Sequence, residues 1–119
     1  MTENQKKIIV TIIKKYKINY DIDGFVNAIK ESTKDELVRP FLLANKLNIS
    51  RKSGYKIMEE LVDNKMALAQ LLFVCPHCKT ENGVYKTISD VPANVICKHC
   101  NTKTNDVFAN TFVMYEITF

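Results

Sequence analysis

The chain has 119 residues, enough for one compact domain or two small ones sharing a core. Apolar residues make up 46 % and charged residues 25 %, an ordinary globular balance, and no apolar run approaches the roughly 18 residues of a membrane span. The net charge of +4 is uneven: residues 1–69 carry 13 basic and 9 acidic side chains, residues 70–119 four of each, so only the first half is basic enough to permit nucleic-acid binding.

Thr2 with Gln5 three residues later matches a capping box, and Ile8, Ile9, Ile12, Ile13 and Tyr16 then repeat on one helical face. β-Branched residues lower helix propensity, so this helix needs packing; Lys6, Lys7, Lys14, Lys15 and Lys17 read as its solvated side. A second helix is expected from about Ile22 to Glu31, capped by Asp21 or Asp23, with Phe25, Val26 and Ile29 inward. Ser32 to Asp35 read as a connection, with Thr33 and Glu36 capping a turn that leads to Pro40. Pro40 suits the first turn of a third helix, and Phe41, Leu43, Ala44 and Leu47 give that helix an inner face. Asn48-Ile49-Ser50 follows as a tight turn, because Asn tolerates the left-handed region and Ser is a good N-cap.

The fourth helix runs from Arg51 to about Asn64. Gly54, Tyr55, Ile57, Met58, Leu61 and Val62 share one arc, and Lys52, Ser53, Lys56, Glu59, Glu60 and Asp63 the other, where Lys56 and Glu60 are placed to pair at i, i+4. Gly54 on the inner arc allows the preceding helix to approach closely. A strand from about Ala67 to Val74 is apolar on both faces and is expected to be buried beside a partner. Asn82-Gly83 is a turn signal, Val84 to Ile88 reads as a strand, Ser89 to Pro92 as a turn, Ala93 to Ile96 as a returning strand and Asn101 to Asp106 as loop. Phe112 to Phe119 alternates, with Val113, Tyr115, Ile117 and Phe119 on one face of a closing strand.

All four cysteines stand in two Cys-x-x-Cys pairs, Cys75-Pro76-His77-Cys78 and Cys97-Lys98-His99-Cys100, eighteen residues apart. This is the spacing of a structural zinc site: each tight turn presents two thiolates, and two turns on two hairpins complete a tetrahedron. Iron in a rubredoxin-like site uses similar knuckles. A redox dithiol fits less well, because Cys78 is followed by Lys79-Thr80-Glu81-Asn82-Gly83 and not by a helix. Four thiolates saturate the metal, so His77 and His99 are expected outside its ligand shell. A zinc loaded with four thiolates adds −2 to this half of the chain, which Lys79 and Lys98 soften locally. The saturated site leaves no position for substrate, and no carboxylate pair, activated nucleophile or phosphate loop stands out, so no enzyme is expected.

The run Leu43-Ala44-Asn45-Lys46-Leu47-Asn48-Ile49-Ser50-Arg51, followed by Met58, Leu61 and Val62, resembles the helix-turn-helix of bacterial winged-helix transcription regulators over about residues 39–70. Two departures are evident: Lys65 stands where such regulators usually carry Gly, with Asn64 able to supply the turn, and no short Gly-containing wing follows. The resemblance implies a DNA-binding regulator whose recognition helix enters the major groove with Arg51, Lys52, Ser53 and Lys56. A winged helix joined to a zinc ribbon also resembles, in architecture, the alpha subunit of the general transcription factor E, which implies the alternative of a protein-protein assembly subunit.

The expected fold is therefore α+β: residues 1–74 a winged helix-turn-helix with N-terminal helices, 75–106 a ribbon with one zinc on Cys75, Cys78, Cys97 and Cys100, and 107–119 a strand pairing back on 67–74. In that arrangement the ribbon projects as an enlarged wing tip. The expected partner is double-stranded DNA, or alternatively a protein; the helices before residue 39 are a candidate homodimerisation element. With no signal peptide or membrane span, a cytoplasmic location is expected.

Overall fold

A computed structural model describes residues 1–119. The protein is α+β, with four helices and an antiparallel sheet. The helices are α1 (Glu3–Lys15), α2 (Ile22–Glu31), α3 (Pro40–Leu47) and α4 (Arg51–Asp63). The strands are β1 (Thr33–Lys34), β2 (Leu37–Val38), β3 (Ala67–Val74), β4 (Glu81–Tyr85), β5 (Val95–Ile96), β6 (Lys103–Thr104) and β7 (Thr111–Ile117). One sheet has the order β1-β2-β7-β3-β4, and β5 and β6 form a second, two-stranded one. The chain divides into two compact units, residues 1–68 with 115–119, and residues 69–114, so the boundary falls inside the two long strands.

In the first unit, local chemistry sets most element ends. Thr2 and Gln5 form the reciprocal capping box at the start of α1, with bonds of 3.0 and 3.1 Å. Asp21, not Asp23, caps α2 by accepting from the Gly24 N–H at 2.8 Å. Ile9, Ile12, Phe25, Ile29, Leu43, Ile57, Met58, Leu61 and Tyr115 are fully buried and form the core.

Residues 32–38 depart from the sequence reading. They form the hairpin β1–β2 and not a capped turn; Asp35 and Glu36 both take positive φ (51° and 66°), as a two-residue hairpin of this hand requires. The usual Asn-Gly signal is missing, so nothing in the local sequence marks the hairpin. Asn64 does not make the turn after α4; Lys65 does, at φ 60°, the position where Gly is the easy choice. β7 joins this unit at Val38↔Tyr115, and the Thr118 N–H donates to the Met66 carbonyl at 3.0 Å.

In the second unit β3 and β4 pair antiparallel (Leu71↔Tyr85 through Val74↔Glu81, with an irregularity at Phe73/Val74), as do β5 and β6. Here the sequence reading needs four corrections. The strand after the first cysteine pair is Glu81–Tyr85, so Asn82-Gly83 lies within it, while Ile88–Asp90 is a single 3₁₀ turn. Lys103–Thr104, expected as loop, is strand β6. β3 is not buried on both faces: Phe73 and Leu72 are buried, but Leu68, in the first unit, is 54 % exposed and Ala69 is exposed too. The alternation of β7 is also broken, since both Met114 and Tyr115 are buried.

Candidate functional site

The two cysteine pairs occupy equivalent turns. Cys75–Cys78 connects β3 to β4, and Cys97–Cys100 connects β5 to β6. In the first, the Cys75 N–H donates to the Thr80 carbonyl and the Lys79 N–H to the Cys75 carbonyl, both at 2.9 Å. In the second, the Cys97 N–H donates to the Thr102 carbonyl at 3.0 Å and the Asn101 N–H to the Cys97 carbonyl at 2.9 Å. The residue after each pair, Lys79 or Asn101, adopts positive φ (64° and 63°), which closes the loop. The two tetrapeptides, which differ only at Pro76 and Lys98, thus take one backbone form, and each points its two thiols at the same spot.

The four sulfurs lie within 4.8 Å of one another. The Cys75–Cys100 and Cys78–Cys97 Sγ separations are 3.7 and 3.6 Å. A tetrahedral ion with metal–sulfur bonds of about 2.3 Å needs sulfurs about 3.8 Å apart, so the donor set fits one metal ion. The cysteines are free thiols, with Cys75 and Cys97 buried. His77 and His99 are exposed and outside the ligand cluster.

The surroundings favour thiolate at one end of the cluster. Cys97 is pushed down to about 6 by the Cys100 N–H, against the effect of burial, with further help from the His99 N–H and the Asn82 side chain. Cys100 is lowered by Thr102. At Cys75 the Cys78 N–H lowers the value, but burial and the neighbouring thiols prevail and the net shift is upward.

Asn82 is the site residue that sequence reading missed. Its amide donates to the Cys97 Sγ at 3.2 Å and to the Thr80 carbonyl at 2.9 Å, and its carbonyl oxygen accepts from the Lys98 N–H at 3.1 Å. One side chain on β4 therefore grips both knuckles. Its pairing with Gly83 gave a turn signal that hid this role; its place four residues after Cys78 was the only available clue.

The second candidate site is the α3–turn–α4 segment in the first unit. Asn48 caps α3 at φ 55° and Ser50 caps α4, accepting from the Ser53 N–H at 3.1 Å. The helices pack closely at Gly54, where an added Cβ would lie 2.8 Å from the Pro40 carbonyl oxygen and 3.1 Å from the Ala44 Cβ. Arg51, Lys52 and Lys56 are exposed and make no side-chain hydrogen bond or ion pair; Ser53 is half-buried and bonds Ser50.

Two of the three carboxylates further along α4, Glu59 and Glu60, are engaged inside the unit, while Asp63 at its end is exposed and unpaired. Glu59 accepts from the Tyr115 hydroxyl. Glu60 pairs with Lys15 at 3.0 Å, so the expected Lys56–Glu60 pair does not form. Burial pushes Glu60 up, but Tyr16 and Lys15 outweigh it and the net shift is downward. Burial and the facing Glu60 in turn raise Tyr16 to about 12. Tyr115 is raised by its burial and by Glu59.

No protein-family model matches this chain, and no curated protein or solved structure matches it. No helix is long and apolar enough to cross a membrane.

Proposed function

We propose that this protein is a regulator that binds double-stranded DNA through α4, with the first unit read as a winged helix-turn-helix and the four-cysteine turns as a structural zinc ribbon. The observation that carries the reading is the division of charge along α4. Arg51, Lys52 and Lys56 at its start are exposed and uncommitted, while Glu59 and Glu60 are held by Tyr115 and Lys15. A helix entering a major groove by its N-terminal turn needs cations there and needs its carboxylates occupied or distant, because phosphates repel free acids; Asp63, the one free carboxylate, stands at the opposite end of α4. Ser53 lies on the same turn and, with Arg51, is placed to contact bases or phosphates. Zinc would supply no catalysis; Cys75, Cys78, Cys97 and Cys100 would hold it, and it would tie the two hairpins of the second unit together.

The test is duplex-DNA binding by fluorescence anisotropy at about 50 and about 200 mM salt. The parent should show a clear salt dependence, and the Lys52→Ala/Lys56→Ala variant should bind more weakly, with its salt slope reduced by about 2. Glu59→Ala should not weaken binding. Equal binding by parent and double-lysine variant would remove α4 from the interface.

A second reading, a protein-assembly subunit, is favoured by a separate observation. The second unit exposes Val84, Ile88, Ile96, Phe108 and Phe112, with Ile88 67 % and Phe108 58 % accessible. Five large apolar side chains are thus open to solvent on a unit this small. Absence of DNA binding at low salt would favour this reading.

A further inference from the structure

We propose that the first unit holds a small-molecule site that takes a zwitterion with an apolar side chain, such as an apolar α-amino acid. The site is a cleft of about 500 Å³ bounded by Met1, α2, the β1–β2 hairpin with Thr33, and the residues at the end of β7. That is within the range of roughly 300–1,000 Å³ typical of small-ligand pockets. Its walls follow from two periodicities. Val26, Ile29 and Lys30 lie on one stripe of α2, and Ile117, the last residue of β7, lines the cleft with Phe119, two residues beyond it. Ile29 is buried at the floor. Apolar side chains from the helix stripe and from the end of β7 thus line one open space.

The two charged side chains of the cleft choose the ligand. Lys30 and Glu36 carry opposite charges on the same cleft, and both are exposed. Neither makes a hydrogen bond or an ion pair, although the adjacent Glu31 is engaged by Lys46 at 2.8 Å. The Glu36 backbone is fixed in the two-residue hairpin turn. A zwitterion offers a carboxylate to Lys30 and an ammonium to Glu36 while its apolar side chain covers Ile29 and Ile117. A monoanion such as a fatty acid leaves Glu36 opposed, and an alkylamine leaves Lys30 opposed.

The site does not rest on the nucleic-acid reading and is tested without DNA. The full chain is titrated with L-leucine, L-phenylalanine, octanoate and octylamine, read by calorimetry and by amide NMR shifts. Saturable binding of leucine or phenylalanine is expected, with shifts at Ile29 and Ile117 and none of the same strength for the two single-charge ligands. Lys30→Ala and Glu36→Ala should each weaken binding about tenfold, the effect of one charge-assisted bond. Both side chains are exposed, so circular dichroism should show the variants folded. Three results would each overturn the proposal: octanoate or octylamine binding at least as tightly as both amino acids, both variants binding like the parent, or no ligand binding at millimolar concentration.

Discussion

Gly54→Ala sets two physical effects against each other with opposite signs. In an open helix, replacing Gly by Ala stabilises by about 1 kcal/mol, because the backbone loses less freedom on folding. At position 54 the added Cβ would stand 2.8 Å from the Pro40 carbonyl oxygen, 3.1 Å from the Ala44 Cβ and 3.6 Å from the Ala44 nitrogen. Ordinary contacts are about 3.5–4.0 Å, so α3 and α4 must separate by roughly half an ångström or more. The nearest atom belongs to the backbone of the first turn of α3 and cannot rotate away. Overpacking of this kind costs about 1–3 kcal/mol, and moving α4 away would also disturb Ile57, Met58 and Leu61, which are buried on the same face as Gly54. Because the 2.8 Å contact is with a fixed backbone oxygen, the upper half of that range applies, so after the helix gain the net loss is roughly 1–2 kcal/mol, and for a small domain each kcal/mol lowers Tm by roughly 4–8 °C. Urea unfolding followed by far-UV circular dichroism measures it, with the exposed Lys52→Ala as the control expected to change stability little. If Gly54→Ala is as stable as the parent or more so, the close approach at Pro40 is not a constraint and the packing argument is wrong.

Elemental analysis should find about one zinc per chain, and Cys75→Ser or Cys100→Ser should release it and unfold the second unit, whose buried apolar set is small; a metal-free protein with four freely titrating thiols would refute the site, and bound iron would correct the metal. Asn82→Ala should leave the four thiols in place yet weaken metal binding about 10–100-fold, measured by competition with a chelator, because the Cys97 thiolate loses a donor and the two knuckles lose their shared clamp. Tyr16 and Tyr115 should be the last of the five tyrosines to ionise in an absorbance titration of the native protein. Their folded values are raised, so their contribution to stability is fully present below pH of about 10 and is lost as pH rises through the folded values, which for Tyr16 lies at about 12; Tyr115→Phe should flatten that alkaline decline, and an unchanged pH profile would contradict the Glu59 bond.

Local codes in the sequence determined the helical half of this protein. Thr2 and Gln5, Asp21, Pro40, Asn48 and Ser50 mark helix ends by groups within three residues of one another, and the 3.6-residue pattern identified Ile57, Met58 and Leu61 as core. The need for Gly54 was legible for the same reason, since a residue without a side chain on an inner arc marks the place where a neighbouring backbone comes close. The cysteine set was equally plain, because spacing alone limits which thiols one ion can collect. Tertiary structure decided what depends on residues far apart. The hairpin at residues 33–38 uses Asp35 and Glu36 in a conformation that neither favours, and β2 exists because β7, near the other end of the chain, supplies its neighbour at Tyr115. The partners of Glu59 and Glu60 come from Tyr115 and Lys15, so no inspection of α4 by itself could assign them. Asn82 gained its role only when β4 brought it against the second cysteine turn. Caps and periods are written in neighbouring residues and survive without the fold; hydrogen bonds across 15 to 56 residues form only after the entropy of loop closure has been overcome by burial elsewhere, and they leave no pattern in the chain.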